Sequence, residues 1–190
     1  MAKHGESLEI LKLLIETREP LSIRQIAIQR KINYKSAYLA IQKLEKENVI
    51  TAKKIGNTTA CVFQPIVHPL IFTAEWERKE TFLKNHPALK DRLQGMTNTI
   101  VLLFGSYAKH TQDKHSDIDL LVITDSEQNR KLSGLSSKIH INTITFEEFT
   151  SMAKTREYSL VSEAMKHNII LTGIEEYYKI NAHIRKNKGS

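Results

Sequence analysis

Asp117 and Asp119 stand two residues apart at the head of an apolar run. They follow, by eleven residues, Ser106 of a Gly105-Ser106 turn that closes a first apolar run, Thr99–Phe104. Side chains alternate across a strand, so a strand over Asp117–Thr124 puts both carboxylates on one face and Ile118 in the core. Adjacent carboxylates repel each other. A hard divalent cation such as Mg²⁺ relieves that repulsion, because it takes carboxylate oxygens and usually completes its shell with substrate phosphates. Glycine lets the backbone approach a ligand closely, and amides opening the next helix point at an anion. A phosphate cradle beside an acidic pair predicts a nucleotide site. Ser106 is expected to hydrogen-bond a terminal phosphate, since no base is spaced to make it a nucleophile.

The two segments, Gly105-Ser106-Tyr107-Ala108 and Ser116-Asp117-Ile118-Asp119-Leu120-Leu121, resemble the signature of the DNA-polymerase-β-like nucleotidyltransferase superfamily, especially its minimal nucleotidyltransferases. The resemblance implies an NTP as ligand, Mg²⁺ as cofactor, Asp117 and Asp119 as metal-binding and catalytic carboxylates, and Gly105, Ser106 and Lys109 as nucleotide-binding residues. Active members usually carry a third carboxylate on the neighbouring strand. Here that strand, Lys138–Thr145, contains no Asp or Glu. Alternation puts the position at His140 or Asn142, with Asn142 the better fit to the family pattern; Glu147 and Glu148 follow the strand and point away. After Ala108 the family has a basic residue and a glycine, where this chain has Lys109 and His110. Lysine keeps the charge and loses the planar fork of arginine. The missing charge falls on the ion that activates the nucleophile, so Mg-NTP binding with weak or absent transfer is predicted.

The elements around this pair read as a mixed sheet flanked by helices, an α/β (α+β) fold over residues 97–190. A third strand spans Ile139–Thr145 after the polar stretch Asp125–Lys138. A helix starts at Phe146, another covers Tyr158–Lys166, Ile169–Leu171 is a short strand, and a helical basic tail runs from Glu175. Tyr177 and Tyr178 read as packing residues, His110 and His115 as solvent-exposed loop residues. Residues 69–96 form a connector, with helices over Phe72–Lys84 and Leu89–Gln94. In it Trp76 reads as a packing anchor at an interdomain or dimer contact.

The first third is organised differently. Ser7 is placed to cap a helix with Leu8, Leu11, Leu14 and Ile15 at helical spacing, and Ser22 a second with Ile23, Ile26, Ala27 and Ile28. Lys31–Tyr34 turns into a third helix, Lys35–Glu47, with Ala37, Ala40, Ile41 and Leu44 on one stripe. Two strands, Val49–Lys54 and Thr58–Phe63, meet across Gly56-Asn57, a pair that tolerates a tight hairpin. Three short helices and a hairpin over residues 1–68 resemble a winged helix-turn-helix. That family's third helix enters the DNA major groove. The resemblance nominates Tyr34, Lys35, Ser36, Tyr38, Gln42 and Lys43 as contacts, Arg30 and Lys31 at the turn, and Lys53, Lys54 and Asn57 as phosphate contacts from the wing. Residues 1–68 carry eleven Lys or Arg against six Asp or Glu, and the remainder seventeen against fifteen. The smaller part therefore holds most of the excess positive charge, as a polyanion-binding domain does. Double-stranded DNA, bound as a homodimer, is the expected partner; a winged helix that docks on protein is the alternative.

The single cysteine, Cys61, excludes an internal disulfide, and no Cys/His cluster has zinc spacing. Neither a signal-peptide core nor a membrane-length apolar run is present, which predicts a cytoplasmic location and no membrane partner. Two functions follow. One is a DNA-binding transcriptional regulator whose second domain keeps the nucleotidyltransferase fold as a Mg-NTP sensor. The other is an active enzyme, antitoxin-like, that transfers a nucleoside monophosphate from NTP to a hydroxyl of a small molecule or of a partner protein such as a toxin.

Overall fold

In a computed structural model the described residues are 3–126, 132, 134–155 and 160–186. The chain divides into two compact units, Met1–Ala74 and Glu75–Ser190. Among the described residues no helix is long and apolar enough to cross a membrane.

The N-terminal unit contains α1 (Lys3–Thr17), β1 (Leu21–Ser22), α2 (Ile23–Arg30), α3 (Tyr34–Lys46), β2 (Ile50–Ile55) and β3 (Thr58–Phe63). Ile10, Leu11, Leu14 and Ile15 of α1 are fully buried, and α1 packs on α3 through the Ala37, Ala40, Ile41 and Leu44 stripe. Ser7 does not cap α1. The helix begins at Lys3 and leaves Ser7 one turn inside it. Ser22 does cap α2, in a capping box: its hydroxyl accepts from the Gln25 backbone, and the Gln25 side chain accepts from the Ser22 backbone. That satisfies two of the donors every helix start leaves open. Lys31 ends α2 with a left-handed φ of 54°, and Asn33 caps α3 by accepting from Ser36 N at 2.8 Å. Ile28, expected on the buried side, is 67% exposed. The strands form an antiparallel sheet in the order β1-β3-β2, closed at Gly56-Asn57 with Gly56 at φ 58°. Cys61 is buried in it, and burial, reinforced by Glu45, pushes its thiol up to about 11. The thiol is therefore inert at neutral pH.

The division between the units falls inside α4 (Pro69–Leu83). The C-terminal unit continues with α5 (Pro87–Leu93), β4 (Ile100–Phe104), α6 (Gly105–Ala108), β5 (Ile118–Ile123), β6 (Ile139–Ile144), α7 (Phe146–Thr155), α8 (Leu160–Lys166), β7 (Ile169–Thr172) and α9 (Ile174–Lys186). The expected helix start at Tyr158 and the last four residues of the basic tail lie outside the described residues, as do parts of the polar stretch before β6. The sheet order is β6-β5-β4-β7, with β5 and β6 parallel and the other pairs antiparallel. One face is closed by Phe82 and Leu83 of α4 and Leu89 and Leu93 of α5, packed in one core with Val101, Leu103, Leu120 and Val122. On the other face Leu102, Leu121 and Ile170 are equally buried, and α8 and α9 pack against β4. Strands covered on both faces read as continuous apolar runs. Asp119 is the one charged residue in β5, and that isolation sets its chemistry. Tyr177 and Tyr178 are buried as expected, and Trp76 is 54% exposed in the single chain.

Candidate nucleotide site

The site is assembled where β4 ends and β5 begins. Phe104 pairs with Asp119 across the antiparallel ladder, which sets the Asp119 carboxylate beside the first residue of α6. Gly105 has φ 70°, and a Cβ built on it would lie 2.4 Å from Oδ2 of Asp119. Glycine is required there twice, for the left-handed backbone and for the space the carboxylate occupies. Asp117 directly precedes β5, and Ile118 between the two acids is buried. The loop leading to Asp117 is braced from within. Asp113 accepts from His115 N at 2.8 Å and from the Ser116 hydroxyl at 3.1 Å, and these bonds hold its carboxyl below the usual range.

Asp119 is pushed the other way. Burial raises its carboxyl above the ordinary value, and the negative charges of Asp117 and Glu163 add to the effect, while His140 opposes it. A cation beside it would offset both the burial cost of its charge and the repulsion from its acidic neighbours.

The parallel β5–β6 ladder sets which of the two candidate positions lies opposite the acidic pair. Asp119 pairs with His140, and Asn142 pairs with Leu121. His140 Nδ1 lies 3.6 Å from Asp119 Oδ1, and Nε2 lies 3.8 Å from Asp117 Oδ2. Asn142 shares the face but sits one strand repeat further on, roughly 7 Å from that level. The register is fixed by backbone bonds such as Ile118 N to Lys138 O at 2.8 Å. An imidazole, and not a third acid, therefore faces the acidic pair.

Ser106 lies half-buried in α6, next to Gly105. Lys109 ends that helix, and its ammonium is 2.6 Å from Oε1 of Glu163 on α8. Both partners are substantially exposed, so the pair is weak and can exchange for a polyphosphate. Glu163 was not foreseen from the sequence. Fifty-four residues separate it from Lys109, and no local pattern announces the contact. His110 carries a left-handed φ of 55°, the conformation for which a glycine is suited. His110→Gly is accordingly expected to raise stability by up to about 1 kcal/mol in urea unfolding. Unchanged or lower stability would mean that the imidazole makes compensating contacts.

Among the described residues no group of three His, Cys, Asp or Glu side chains is arranged to hold a metal. Two hard carboxylates fit Mg²⁺ only when a ligand's phosphates supply further oxygens.

The nominated DNA contacts sit in the other unit. Tyr34, Lys35, Tyr38, Gln42 and Lys43 are all exposed on α3, and Ser36 is half-buried at its start. Gln42 donates to the Tyr38 hydroxyl at 3.0 Å. Lys31, Lys53, Lys54 and Asn57 are exposed. Arg30 differs, being half-buried and ion-paired with Glu9 of α1.

Residues 86–187, more than half of the chain, match the family model described as a nucleotidyltransferase domain. No curated protein and no solved structure matches the chain.

Proposed function

The chain belongs to the nucleotidyltransferase domain family, and from that premise we propose that it is a DNA-binding regulator whose C-terminal unit binds Mg-NTP and transfers nucleotide weakly or not at all. Asp117 and Asp119, set against the Gly105 turn, carry this reading. Gly105 and Ser106 would receive the triphosphate, Lys109 would leave Glu163 to join it, and the two aspartates would hold the cation. When bound, that cation supplies charge neutralisation for the phosphates. His140 opposite Asp119 supports the weak-transfer reading, because an imidazole supplies no negative charge for a second ion.

One observation favours a second reading. Glu163 adds negative charge at Asp119 from outside the sheet. An active enzyme passing a nucleoside monophosphate to a protein or small-molecule hydroxyl would have that carboxylate within reach. Wild-type transfer of labelled nucleotide that disappears in Asp117→Ala selects this reading over the first.

The N-terminal unit is, in this proposal, a winged helix that binds duplex DNA as a homodimer in the cytoplasm. Between Ile23 and Lys46 the chain carries six Lys or Arg and a single acidic residue, Glu45, and α3 exposes its polar side chains. If six phosphates are neutralised, affinity is expected to fall with a log–log salt slope of about −5. A Lys35→Ala, Lys43→Ala variant should flatten that slope by roughly two. Gel-shift affinity that is unchanged in this variant excludes α3 as the DNA-contacting helix.

A further inference from the structure

The N-terminal unit holds a cavity of about 470 Å³ between the first turns of α1, the end of α3 and the start of α4. Its size lies within the range of small-molecule sites. Leu8, Leu11, Leu44 and Leu70 provide apolar walls, and four polar side chains, Ser7, Lys43, Glu47 and His68, converge on the same space.

Two of the four are already engaged with each other. His68 Nδ1 accepts a hydrogen bond from Leu70 N at 3.2 Å, which places the ring proton on Nε2. That nitrogen lies 3.3 Å from Oε2 of Glu47. The other two are not engaged. The Ser7 hydroxyl is shut off from solvent yet has no hydrogen-bond partner among the described residues. A buried polar group in that condition carries a desolvation cost that a ligand atom would remove. Lys43 has no ion-pair partner among the described residues. A cation and an unpartnered hydroxyl among the lining residues of an apolar chamber match a carboxylate on an apolar body. Glu47 also lines the cavity and sets a carboxylate against the Lys43 ammonium, which disfavours a dianion such as a phosphate monoester.

We propose that this cavity is an effector site for a small monocarboxylate with an apolar body, whose carboxylate takes up Lys43 and the Ser7 hydroxyl. Lys43 is also a nominated DNA contact of α3, so an occupied cavity withdraws one cation from the DNA face. This second half rests on the DNA-binding reading; the site itself does not.

The test uses the full chain with octanoate and 3-phenylpropanoate as probes and octan-1-ol as the uncharged control, read by saturation-transfer NMR and thermal shift. The expected result is that at least one acid binds and raises the melting temperature, with the alcohol weaker by about tenfold. Lys43→Gln should bring acid and alcohol to similar affinity, and Leu8→Trp, which fills the chamber, should abolish both. Absence of binding by both acids, or equal binding of acid and alcohol to the wild type, overturns the site. The bound acid should also reduce the DNA salt slope by about one; an unchanged slope overturns the coupling. A wild type that binds the acid but no DNA at any salt refutes the DNA reading and leaves the site standing.

Discussion

Arg78→Ala is expected to destabilise the protein by about 3–5 kcal/mol, the cost of leaving a buried charge without its partner. Glu75 and Arg78 are both buried on α4. Arg78 Nη1 donates to Glu75 Oε2 at 2.5 Å, and Nη2 donates to the carbonyl of Asn168 at 2.9 Å. Glu75 Oε1 accepts from the Tyr178 hydroxyl at 2.8 Å. One network therefore ties α4 to the turn before β7 and to α9. Asn168 extends it by donating to Ala164 O and to the Tyr177 hydroxyl. Removing the guanidinium strands a carboxylate and a carbonyl together. Urea unfolding of the full chain, followed by fluorescence of the neighbouring Trp76, measures the loss. A double replacement, Glu75→Leu with Arg78→Met, should recover most of it, because similar-sized apolar groups often substitute for a buried pair. A single-mutant loss below about 1 kcal/mol would show that water satisfies the carboxylate and that the network is not structural.

His140→Asp is expected to have the largest effect on chemistry. It puts a carboxylate opposite Asp119 where an imidazole now spans the acidic pair. Three acids in place of two should tighten divalent-metal binding in the presence of NTP. Nucleotide transfer to generic acceptors should become measurable, with a gain of roughly 10² to 10³ over the wild type. Calorimetry with Mn²⁺ and NTP reads the metal, and transfer of labelled nucleotide reads the chemistry. Asn142→Asp, opposite Leu121, is the internal control and should do much less. Equal gains from the two variants would show that the register of β6 does not decide the site.

The same pair of residues shows where sequence reading stops. Period-two alternation assigns His140 and Asn142 to one face, and it holds equally for either; only the backbone bonds between β5 and β6 select the level. The Gly105–Ser106 turn and the Asp117/Asp119 pair were legible because glycine, serine and the two acids are chemically specialised and lie within fifteen residues of one another. The Ser22 cap was legible for a similar reason, being local. Ser7 was misread because a polar first turn over Lys3–Glu6 has no apolar period to reveal that the helix has already begun. Long-range pairings left no trace in the sequence. Glu163 meets Lys109 across fifty-four residues, and Glu9 ties down Arg30 across twenty-one.

The central claim is that Asp117 and Asp119 hold a cation that brings an NTP to the Gly105 turn. Titration calorimetry of the full chain with NTP and Mg²⁺ tests it most directly. Binding should require metal and nucleotide together. It should vanish with EDTA, and it should vanish in the Asp117→Ala, Asp119→Ala variant while the fold persists by circular dichroism. Equal NTP affinity with EDTA present, or in the double variant, would contradict the account and make the acidic pair structural.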